Sequence, residues 1–486
     1  MSVTDRYSGD LPRVDAETAA GQIDPADTVF VSGFGGVGYP KFVPEALADD
    51  DRDLAITIVS GGGVGHEIDT KLVEAGAMVR RYPFQTKAAS RSAINEGTVA
   101  FHDRHISRVA DEVSFGGVVD GDIAIIEAVA VGEDWLIPST SIGNSPAFVE
   151  SADRLIVEVN RAQPLEIQRV HDVYRLDPPP NRGPIPLDSP IDRIGGPTID
   201  FDPNALVAVV ETDRTDDPYT FREPTNVDRT IADHLGEFLT GELDRNPILA
   251  KAVNLQFGVG SMGNALMGAL ESIDFGDRSV TYFGEVFQDG LLDMMDLGLL
   301  GGASATSLAL SNAGQERLFD DIDRYADDIV LRPADISNNP SLADRFGVIG
   351  VNSAVEVDIY GHANATHVGG THIINGIGGG GDFGRNSQLS IIALPSTAAG
   401  GDISRIVPMV PHVDHTEHDI SVIVTEHGVA DLRGLSPRER ARALIDIADP
   451  DVRDDLTAYV DRASQFGGNI PHHLETVFDW HIEWRR

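Results

Sequence analysis

Short apolar runs alternate with helical patterns along the first half of the chain. Runs rich in valine and isoleucine, bounded by polar residues or glycine, predict buried strands. These runs cover residues 28–32, 55–60, 123–127, 155–159 and 206–211. Apolar residues at helical spacing predict helices over residues 41–47 and 68–75, whereas the proline-rich residues 177–190 predict irregular structure. The alternation of strand and helix predicts an α/β fold with a mainly parallel sheet.

The second half of the chain repeats this pattern after a polar stretch. With 486 residues the chain is long enough for two or three domains, and residues 212–228, which carry two prolines, predict a linker. A helix is predicted over residues 230–243. Further strands are predicted over residues 255–257, 280–283, 348–351, 389–394 and 420–424. Each half starts with a strand, a glycine-rich loop and a helix, which favours two related α/β domains, residues 1–222 and 223–486.

The chain is strongly acidic, which indicates an acidic surface. The chain carries 77 acidic and 37 basic residues, for a formal net charge of −40. Most basic residues are arginines, and the four lysines are Lys41, Lys71, Lys87 and Lys251. Such a field disfavours binding to nucleic acid or to an anionic membrane. An acidic surface poor in lysine predicts a halophilic source, where high salt screens the self-repulsion.

Cysteine is absent from the sequence, which excludes disulfides, thiolate metal sites and cysteine nucleophiles. The N-terminus has neither the basic start nor the apolar core of a signal peptide. No apolar run approaches the roughly 20 residues of a membrane span. We therefore expect a cytoplasmic protein.

Three glycine-rich stretches match the Gly-x-Gly-x-x-Gly pattern of dinucleotide-binding folds. They cover residues 33–38, 258–263 and 376–381. The first follows a predicted strand, but no acidic residue stands about 20 residues further on to bind a ribose, which disfavours a nicotinamide or flavin site. The glycines fit either tight turns or loops whose bare backbone N–H groups approach an anionic or carbonyl oxygen.

Glu285 comes just after the predicted strand at residues 280–283, in the stretch G-E-V-F-Q-D-G. Open α/β sheets place ligands beyond the carboxyl ends of their strands, so Glu285 is a candidate catalytic carboxylate. The same place also suits a surface or cap residue. The four consecutive glycines at residues 378–381 lose much freedom on folding, which indicates a need for bare backbone such as an oxyanion hole.

Two other polar stretches carry weaker signals. The stretch P-H-V-D-H-T-E-H-D at residues 411–419 holds three histidines, but it lacks the H-E-x-x-H spacing of zinc sites, so polar loop contacts are favoured over a metal. The serines of residues 138–146 lack the G-x-S-x-G elbow of serine hydrolases, which favours a turn-rich structural loop.

A set of short strings resembles the acetyl-CoA hydrolase/transferase family, a branch of the class I CoA-transferases. The strings follow the family order over nearly the whole chain. They are T-S-I-G-N-S-P (140–146), H-D-V-Y (171–174), R-G-P-I-P-L (182–187), G-E-V-F-Q-D (284–289), I-S-N-N-P (336–340), N-S-A-V-E-V-D-I-Y-G (352–361), N-G-I-G-G-G-G-D-F (375–383), D-H-T-E-H-D (414–419) and V-T-E-H-G-V-A-D-L-R-G-L-S-P (424–437).

The resemblance implies two tandem CoA-transferase domains with the active site between them. It implies that Glu285 is the nucleophile and forms a glutamyl-CoA thioester, and that Asn338 and Glu426 are further active-site residues. The segments that match CoA-contacting parts of the family supply Gly258, Val259, Gly260, Ser261, Met262, Gly263, Gly378, Gly379 and Phe383. The chain departs from the family pattern at Gly380, where serine is usual, and at His427, where glutamine is usual.

The implied function is transfer of CoA between an acyl-CoA and a small carboxylate, with CoA as a substrate and without a metal or a tightly bound cofactor. Acetate and succinate are the favoured pair, and propionate, butyrate and 4-hydroxybutyrate are alternatives. Hydrolysis of acetyl-CoA through the same intermediate, a non-catalytic CoA- or nucleotide-binding module and an NAD enzyme are the other readings. Family analogy predicts a homodimer.

Overall fold

The computed structural model describes residues 3–216, 218, 222–258 and 260–481. The chain forms two compact units. Unit 1 comprises Met1–Thr220, Tyr282–Leu292 and Gly301–Leu342, and unit 2 comprises Phe221–Thr281, Asp293–Leu300 and Ala343–Arg486. The predicted fold class, mainly parallel sheets flanked by helices, is confirmed. The predicted domain division between residues 222 and 223 stays a prediction.

The first part of unit 1 supplies a large sheet and the helices that cover it. Its strands are β1 (Thr28–Val31), β2 (Ile56–Ser60), β3 (Met78–Tyr82), β4 (Ala100–Phe101), β5 (Gly121–Val131), β6 (Trp135–Pro138), β7 (Ala152–Asn160), β8 (Ile199–Asp200) and β9 (Leu206–Thr212). Its helices are α1 (Ala16–Ala20), α2 (Phe42–Ala48), α3 (Leu72–Glu74), α4 (Ala88–Glu96), α5 (Ile106–Ser114) and α6 (Ser145–Ser151), with a π-helical turn at Glu67–Lys71 and 3₁₀ turns at Leu165–Val170 and Pro203–Ala205.

The strands of this sheet run parallel in the order β4-β3-β2-β1-β5-β7-β9. The end of the long strand β5 also pairs with β6, and β6 with β8, both antiparallel. Val29 and Val31 pack on one face of the sheet, whereas Phe30 packs on the other. Helices cover both faces, which explains why the strands are nearly continuous apolar runs.

The later part of the chain adds further strands and helices. The strands are β10 (Ala252–Phe257), β11 (Ser279–Phe283), β12 (Val286–Phe287), β13 (Ala303–Ala305), β14 (Ser307–Leu308), β15 (Ile329–Leu331), β16 (Ile349–Asn352), β17 (Glu356–Asp358), β18 (Ala363–Asn364), β19 (His367–Val368), β20 (His372–Ile373), β21 (Leu389–Ala393), β22 (Thr397–Ala398), β23 (Ile403–Ser404), β24 (Ile406–Val407), β25 (Val422–Thr425) and β26 (Gly428–Asp431). The helices are α7 (Asn226–Arg245), α8 (Ser261–Leu270), α9 (Asp289–Asp296), α10 (Asn312–Asp320), α11 (Ile322–Tyr325), α12 (Ala334–Ser337), α13 (Pro340–Arg345), α14 (Gly380–Asn386), α15 (Pro437–Asp446) and α16 (Pro450–Ser464), with 3₁₀ turns at Pro247–Ala250, Ala399–Gly401 and Asp479–His481.

The later segments of unit 1 carry short parallel pairs. The last two residues of β11 pair with β13, which pairs with β15, and β12 pairs with β14. These pairs bring together chain segments that lie about 20 residues or more apart, because parallel strands need a crossover connection. The turn between β11 and β12 therefore lies beside the turn between β13 and β14.

Unit 2 contains four parallel strands in the order β10-β16-β21-β25, with β26 antiparallel at the edge. Helices α15 and α16 pack their apolar residues against β21, β25 and β26. Helix α7 begins with a capping box in which Thr225 and Asp228 satisfy each other's backbone N–H groups. Helix α15 begins with the same device at Ser436 and Glu439.

The strands and helices predicted from the apolar pattern are confirmed, with shifts of a few residues at their ends. The linker is shorter than predicted, because β9 extends to Thr212 and the capping box starts α7 at Asn226. Part of that stretch lies outside the described residues. The proline-rich residues 177–190 form neither helix nor strand, as predicted. Within the described ranges, no helix has the length and apolar character that crossing a bilayer requires.

Candidate active site

Glu285 lies in a tight turn beyond the carboxyl end of β11. The backbone N–H of Gly284 donates to the carbonyl of Ser304 over 3.0 Å, and the N–H of Thr306 donates to the carbonyl of Glu285 over 2.8 Å. These bonds fix the turn to the neighbouring β13–β14 segment. Glu285 is half-buried and stands where open α/β sheets place their ligands.

The turn is tight because Gly284 has no side chain. The Tyr282 hydroxyl donates to the carbonyl of Val286 over 3.0 Å and so spans the turn that carries Glu285. A Cβ atom on Gly284 would lie 2.4 Å from that hydroxyl oxygen. The absence of a side chain on Gly284 therefore lets the Tyr282 side chain lie across the turn and keeps the turn tight.

Asn338 contacts the Glu285 carboxylate directly. It follows α12, and its Nδ2 donates to Glu285 Oε1 over 2.5 Å. The Ser337 hydroxyl donates to Asn338 Oδ1 over 2.9 Å, so the amide oxygen is already engaged and the amino group faces Glu285. The structure thus brings together two of the residues that the resemblance implies for the site.

The first glycine-rich stretch, hereafter the N-terminal glycine loop (residues 33–38), contacts the neighbourhood of Glu285. Gly33, Gly35, Gly36 and Gly38 all have positive φ, which bare backbone adopts readily. A Cβ on Gly35 would lie 3.2 Å from Ser307 Oγ and 3.6 Å from the Val286 side chain, next to Glu285. Both uses predicted for these glycines occur within the chain: the positive φ values form a tight turn, and the N–H of Gly38 donates to the carboxylate of Asp216 over 3.1 Å.

A second loop, hereafter the serine loop (residues 140–145), joins the segments that carry Glu285 and Asn338. The carbonyl of Thr140 accepts from the N–H of Leu308, and the carbonyl of Gly143 accepts from the N–H of Ala334, the first residue of α12. These bonds are 2.9 and 2.8 Å long. The predicted turn-rich structural loop therefore hydrogen-bonds to both segments beside the candidate site.

Several buried polar side chains in these segments make no hydrogen bond to any other described residue. They are Ser141, Asn144, Ser145, Gln288 and Ser307. Buried polar groups are nearly always satisfied in folded proteins, and exceptions ask for an explanation such as a ligand or an ordered water. These five side chains near the Glu285 turn are candidates to bind a ligand or an ordered water.

Glu426 lies in unit 2, directly after β25. Its Oε2 accepts from the backbone N–H of Ser396 and its Oε1 accepts from the Ser396 hydroxyl, both over 2.8 Å. Burial lowers the pKa of the nearby Arg405 guanidinium to about 10, while the carboxylates of Glu426 and Glu356 act in the opposite direction. Both carboxylate oxygens of Glu426 are thus held in place.

The second glycine-rich stretch leads into a helix, as predicted, and the helix begins within the stretch. Helix α8 starts at Ser261, so Ser261, Met262 and Gly263 belong to its first turn rather than to a loop, and Val259 lies outside the described residues. Gly260 precedes the helix with a φ of +143°. A Cβ on Gly263 would lie 2.5 Å from the carbonyl oxygen of Gly258, so the tight start of the helix explains this glycine.

The third glycine-rich stretch also leads into a helix. Gly378 has a φ of +57°, and Gly379 precedes α14. Phe383 is fully buried within α14. Gly380 differs, because a Cβ there would approach no atom outside its own turn more closely than the Nε2 of His415, at 3.8 Å. The serine that the family usually carries at this position therefore fits the backbone.

The histidine stretch at residues 411–419 forms local polar contacts. His412 Nε2 lies 3.2 Å from Asp414 Oδ1, and the carbonyl of His415 accepts from the N–H of Ala363 over 2.9 Å. Among the residues that the structure describes, no group of three or more His, Asp or Glu side chains is arranged to hold a metal ion.

The sequence did not single out Tyr282, Thr306, Ser337 or Ser396, which hold the candidate residues in place. Ser337 lies within the string I-S-N-N-P, but the resemblance pointed to Asn338 rather than to Ser337, and Ser396 lies outside the matching strings. Tyr282 gave the best signal, since a tyrosine within a buried strand normally needs a partner for its hydroxyl.

Two family models match the chain. The model of the acetyl-CoA hydrolase/transferase N-terminal domain matches residues 4–211, and that of the C-terminal domain matches residues 314–460. The chain belongs to the acetyl-CoA hydrolase/transferase family. The resemblance of the short strings is thereby confirmed.

Curated relatives within this family cover nearly the whole chain. A succinyl-CoA:acetate CoA-transferase of Clostridium kluyveri is 43% identical over 478 residues, 97% of this chain and 88% of the relative. A propanoyl-CoA:succinate CoA transferase of Escherichia coli is 40% identical and covers 96% of each chain. An acetyl-CoA hydrolase of Kluyveromyces lactis is 40% identical and covers 93% of this chain and 90% of the relative.

Solved structures share the fold. The crystal structure of RipA from Yersinia pestis is similar with a TM-score of 0.72 and 22% identity, over 93% of this chain and 97% of that chain. At this level of identity the similarity concerns the fold alone. It agrees with the two-domain α/β architecture of the acetyl-CoA hydrolase/transferase family.

Proposed function

We propose that this enzyme is a CoA-transferase that moves CoA between an acyl-CoA and a small carboxylate through a thioester on Glu285. Acetyl-CoA and succinyl-CoA are the proposed donors, in keeping with the name of the Clostridium relative. One observation carries the proposal: the Glu285 carboxylate lies at a strand end and accepts a hydrogen bond from the Asn338 amide over 2.5 Å. A carboxylate in this place is suited to nucleophilic catalysis on an activated acyl group.

In the first half of the reaction, a Glu285 oxygen attacks the thioester carbonyl carbon of the acyl-CoA. The carbon–sulfur bond breaks, CoA leaves as a thiolate, and an acyl-glutamyl anhydride remains. The thiolate then attacks the glutamyl carbonyl carbon, and the acyl group leaves as a carboxylate. Glu285 now carries CoA as a thioester, with no net transfer of protons or electrons.

In the second half, an incoming carboxylate attacks the glutamyl thioester. CoA leaves again as a thiolate and an anhydride with the new acid forms. The thiolate attacks the acyl carbonyl of this anhydride, which releases the new acyl-CoA and restores the Glu285 carboxylate. Because the thioester energy is conserved throughout, the exchange runs in either direction.

Asn338 supports the attacks on the glutamyl carbonyl. Each of these steps builds negative charge on the glutamyl oxygen, and a fixed N–H donor of this kind typically contributes about 10²- to 10³-fold to kcat. The Ser337 hydroxyl, which donates to Asn338 Oδ1, keeps the amino group directed at Glu285. The amide therefore does not have to reorganise during the reaction.

We assign CoA binding to the glycine-rich segments 258–263 and 378–383, and Glu426 to the active site. The Phe383 side chain is fully buried within α14, so the proposed part of this residue in CoA binding is through its backbone. Glycine-rich starts of helices present backbone N–H groups to anions, which suits the phosphates of CoA. Such local donors have to outweigh a net charge of −40. No metal is required by this chemistry.

Hydrolysis is the second candidate, because the Kluyveromyces lactis relative is named an acetyl-CoA hydrolase. Both activities use the same intermediate and differ in whether water or a carboxylate attacks it. Release of CoA from acetyl-CoA is measured with and without added succinate. A transferase forms succinyl-CoA and releases little CoA, whereas a hydrolase releases CoA equally fast in both reactions.

Trapping the intermediate tests the role of Glu285. Incubation with acetyl-CoA followed by borohydride reduces a glutamyl thioester to an alcohol, and mass spectrometry then locates the change. We expect the modified side chain at Glu285 in the native enzyme and no modification in Glu285→Gln. A Glu285→Gln variant with native turnover rejects the proposed mechanism.

We further propose that the protein is adapted to high salt. The support is the balance of 77 acidic against 37 basic residues, whose mutual repulsion weakens when the Debye length falls from about 10 Å at 0.1 M to about 3 Å at 1 M salt. The melting temperature is therefore expected to rise steeply between dilute buffer and molar KCl. An unchanged melting temperature contradicts this expectation.

The homodimer is proposed by analogy with the family alone. Sedimentation velocity in molar KCl measures the mass, for which the monomer value is 52.1 kDa. A species of that mass at micromolar concentration contradicts the proposal. The cytoplasmic location stays a prediction.

A further inference from the structure

Lys41 is one of the four lysines of the chain, and its side chain is fully buried in unit 1. Its Nζ donates to the carbonyl of Tyr39 over 2.9 Å, forms an ion pair with Asp216 over 2.9 Å, and forms a second, short ion pair with Glu127. We call the three charged residues Lys41, Glu127 and Asp216 the Lys41 cluster. A buried lysine with two carboxylates is rare, because each ion loses its hydration.

The Glu127 carboxylate accepts hydrogen bonds from several side chains. It accepts from the Ser139 hydroxyl over 2.5 Å and from the Asn160 amide over 3.1 Å, in addition to Lys41. Burial lowers the pKa of Lys41, but Asp216 and Glu127 raise it by more, so the ammonium stays charged. The cluster is therefore a complete network of charge and hydrogen bonds.

The Asp216 carboxylate reaches the two loops that contact the Glu285 turn. Its Oδ1 accepts from the backbone N–H of Gly38, the last residue of the N-terminal glycine loop, over 3.1 Å. Its Oδ2 accepts from the hydroxyl of Thr140, the first residue of the serine loop, over 2.5 Å. Gln163 donates to the same oxygen over 3.2 Å. One buried carboxylate thus joins both loops.

The contacts continue from these loops to the candidate site. The carbonyl of Thr140 accepts from the N–H of Leu308, and Gly35 packs against Ser307 and Val286. Ser307 and Val286 are partners in the β12–β14 pair, directly after Glu285. The path from Asp216 to the Glu285 turn therefore runs through contacts within unit 1 only.

Stability alone does not explain such a network. Replacing buried ion pairs by apolar residues of similar volume is often neutral or stabilising, so we look for a role of this network in fixing one defined geometry. In this network the geometry is the placement of two loops. The Asp216 carboxylate accepts hydrogen bonds from the backbone of the N-terminal glycine loop and from a side chain of the serine loop.

We propose that the Lys41 cluster positions the N-terminal glycine loop and the serine loop against the Glu285 turn, with Thr140 as the link. Lys41, Asp216 and Thr140 are positioning residues in this proposal, and all three are buried. This inference rests on the proposed role of Glu285. It predicts that loss of the Thr140–Asp216 bond impairs the chemical step more than substrate binding or stability.

Three variants test the link. Thr140→Val keeps the shape and loses the hydroxyl, Thr140→Ser keeps the hydroxyl, and Gln163→Leu removes a different donor from the same Asp216 oxygen. Misplacement of a reacting group by about 1 Å costs up to 10²-fold in rate. We therefore expect Thr140→Val to lower kcat at least about 10-fold, with the KM for acyl-CoA changed less than about twofold.

The two other variants separate positioning from stability. Thr140→Ser is expected to recover at least half of the native kcat. Gln163→Leu is expected to lower the melting temperature about as much as Thr140→Val but to keep kcat within about twofold of native. A native kcat in Thr140→Val, or an equal loss of kcat in Gln163→Leu, overturns the proposal.

Two further measurements keep the test decisive. If Thr140→Val does not fold, Asp216→Asn, which preserves the shape and leaves Lys41 paired with Glu127, carries the same expectation for kcat. Glu285→Gln is measured in parallel. If Glu285→Gln is inactive while the Thr140 and Asp216 variants have native kcat, only the positioning role fails. If Glu285→Gln is active, the proposed function itself fails.

Discussion

Glu285 in unit 1 and Glu426 in unit 2 stand at the same kind of place, just beyond the carboxyl end of a parallel strand, but their carboxylates are held differently. Glu285 Oε1 accepts from the Asn338 amide, 53 residues further along the chain. Glu426 accepts at both oxygens from a single residue, Ser396, 30 residues earlier. The same position along a strand thus gives two different chemical environments.

The two carboxylates suit different roles in the proposed reaction. The Ser396 N–H and hydroxyl fix both oxygens of Glu426, which suits a stationary charge or acceptor. Glu285 stands on a turn shaped by Gly284, and its amide partner can donate in turn to the oxygen of a carboxylate, an anhydride or a thioester. We therefore expect Glu285 to carry the covalent chemistry and Glu426 to assist.

The pair Glu285→Gln and Glu426→Gln tests this comparison with the largest expected effect. An amide is not a nucleophile, so Glu285→Gln is expected to lower kcat by about 10⁴-fold or more. Glu426→Gln keeps one of the two acceptor oxygens for Ser396, removes the charge and is expected to lose about 10- to 10²-fold in kcat. Steady-state kinetics and borohydride trapping measure both. Equal losses, or trapping at Glu426, contradict the division of roles.

The second test removes the Asn338 amide, which donates to the Glu285 carboxylate. Asn338→Ala is expected to lower kcat by about 10²-fold with little change in melting temperature, since one donor to the reacting carboxyl is lost. Asn339→Ala is the matched control, because the Asn339 amide donates to the carbonyl of Asp335 rather than to Glu285. If both variants lose the same activity, the loss comes from damage to α12 and the contact is not catalytic.

The third test compares a glycine of each unit and carries the smallest effect. Gly284→Ala places a Cβ 2.4 Å from the Tyr282 hydroxyl and is expected to cost about 1–3 kcal/mol of unfolding free energy, together with activity. The Cβ of Gly380→Ser lies 3.8 Å from His415, the nearest side chain among the described residues, and the change is expected to alter stability by about 0.5 kcal/mol or less. Urea denaturation measures both. Equal stability of the two variants contradicts the argument for Gly284.

The sequence predicted the main strands of both units because those strands are buried on both faces and read as unbroken apolar runs. It did not predict short strands such as β12 and β14, whose two residues each carry no periodicity. It also placed Lys41 at the start of a helix without indicating its burial. No local pattern indicated this burial, since the other three lysines, Lys71, Lys87 and Lys251, are partly or fully exposed.

The candidate site was predicted residue by residue but not as an arrangement. Glu285, Asn338 and Glu426 followed from the resemblance, whereas the hydrogen bond between Glu285 and Asn338 and the role of Ser337 in orienting that amide came from the structure. A hydrogen bond between residues 53 positions apart has no signature in a single sequence, because local patterns report only which way a side chain faces.

By itself the sequence determined the α/β class, the family, the acidic balance of the chain and the place of Glu285 beyond a strand. These depend on local order and composition. Only the tertiary structure decided that the N-terminal glycine loop packs beside the Glu285 turn, about 250 residues away, and that Lys41 lies between Glu127 and Asp216. The order of parallel strands decides which strand ends and loops become neighbours, and that order is set by long-range pairing and packing.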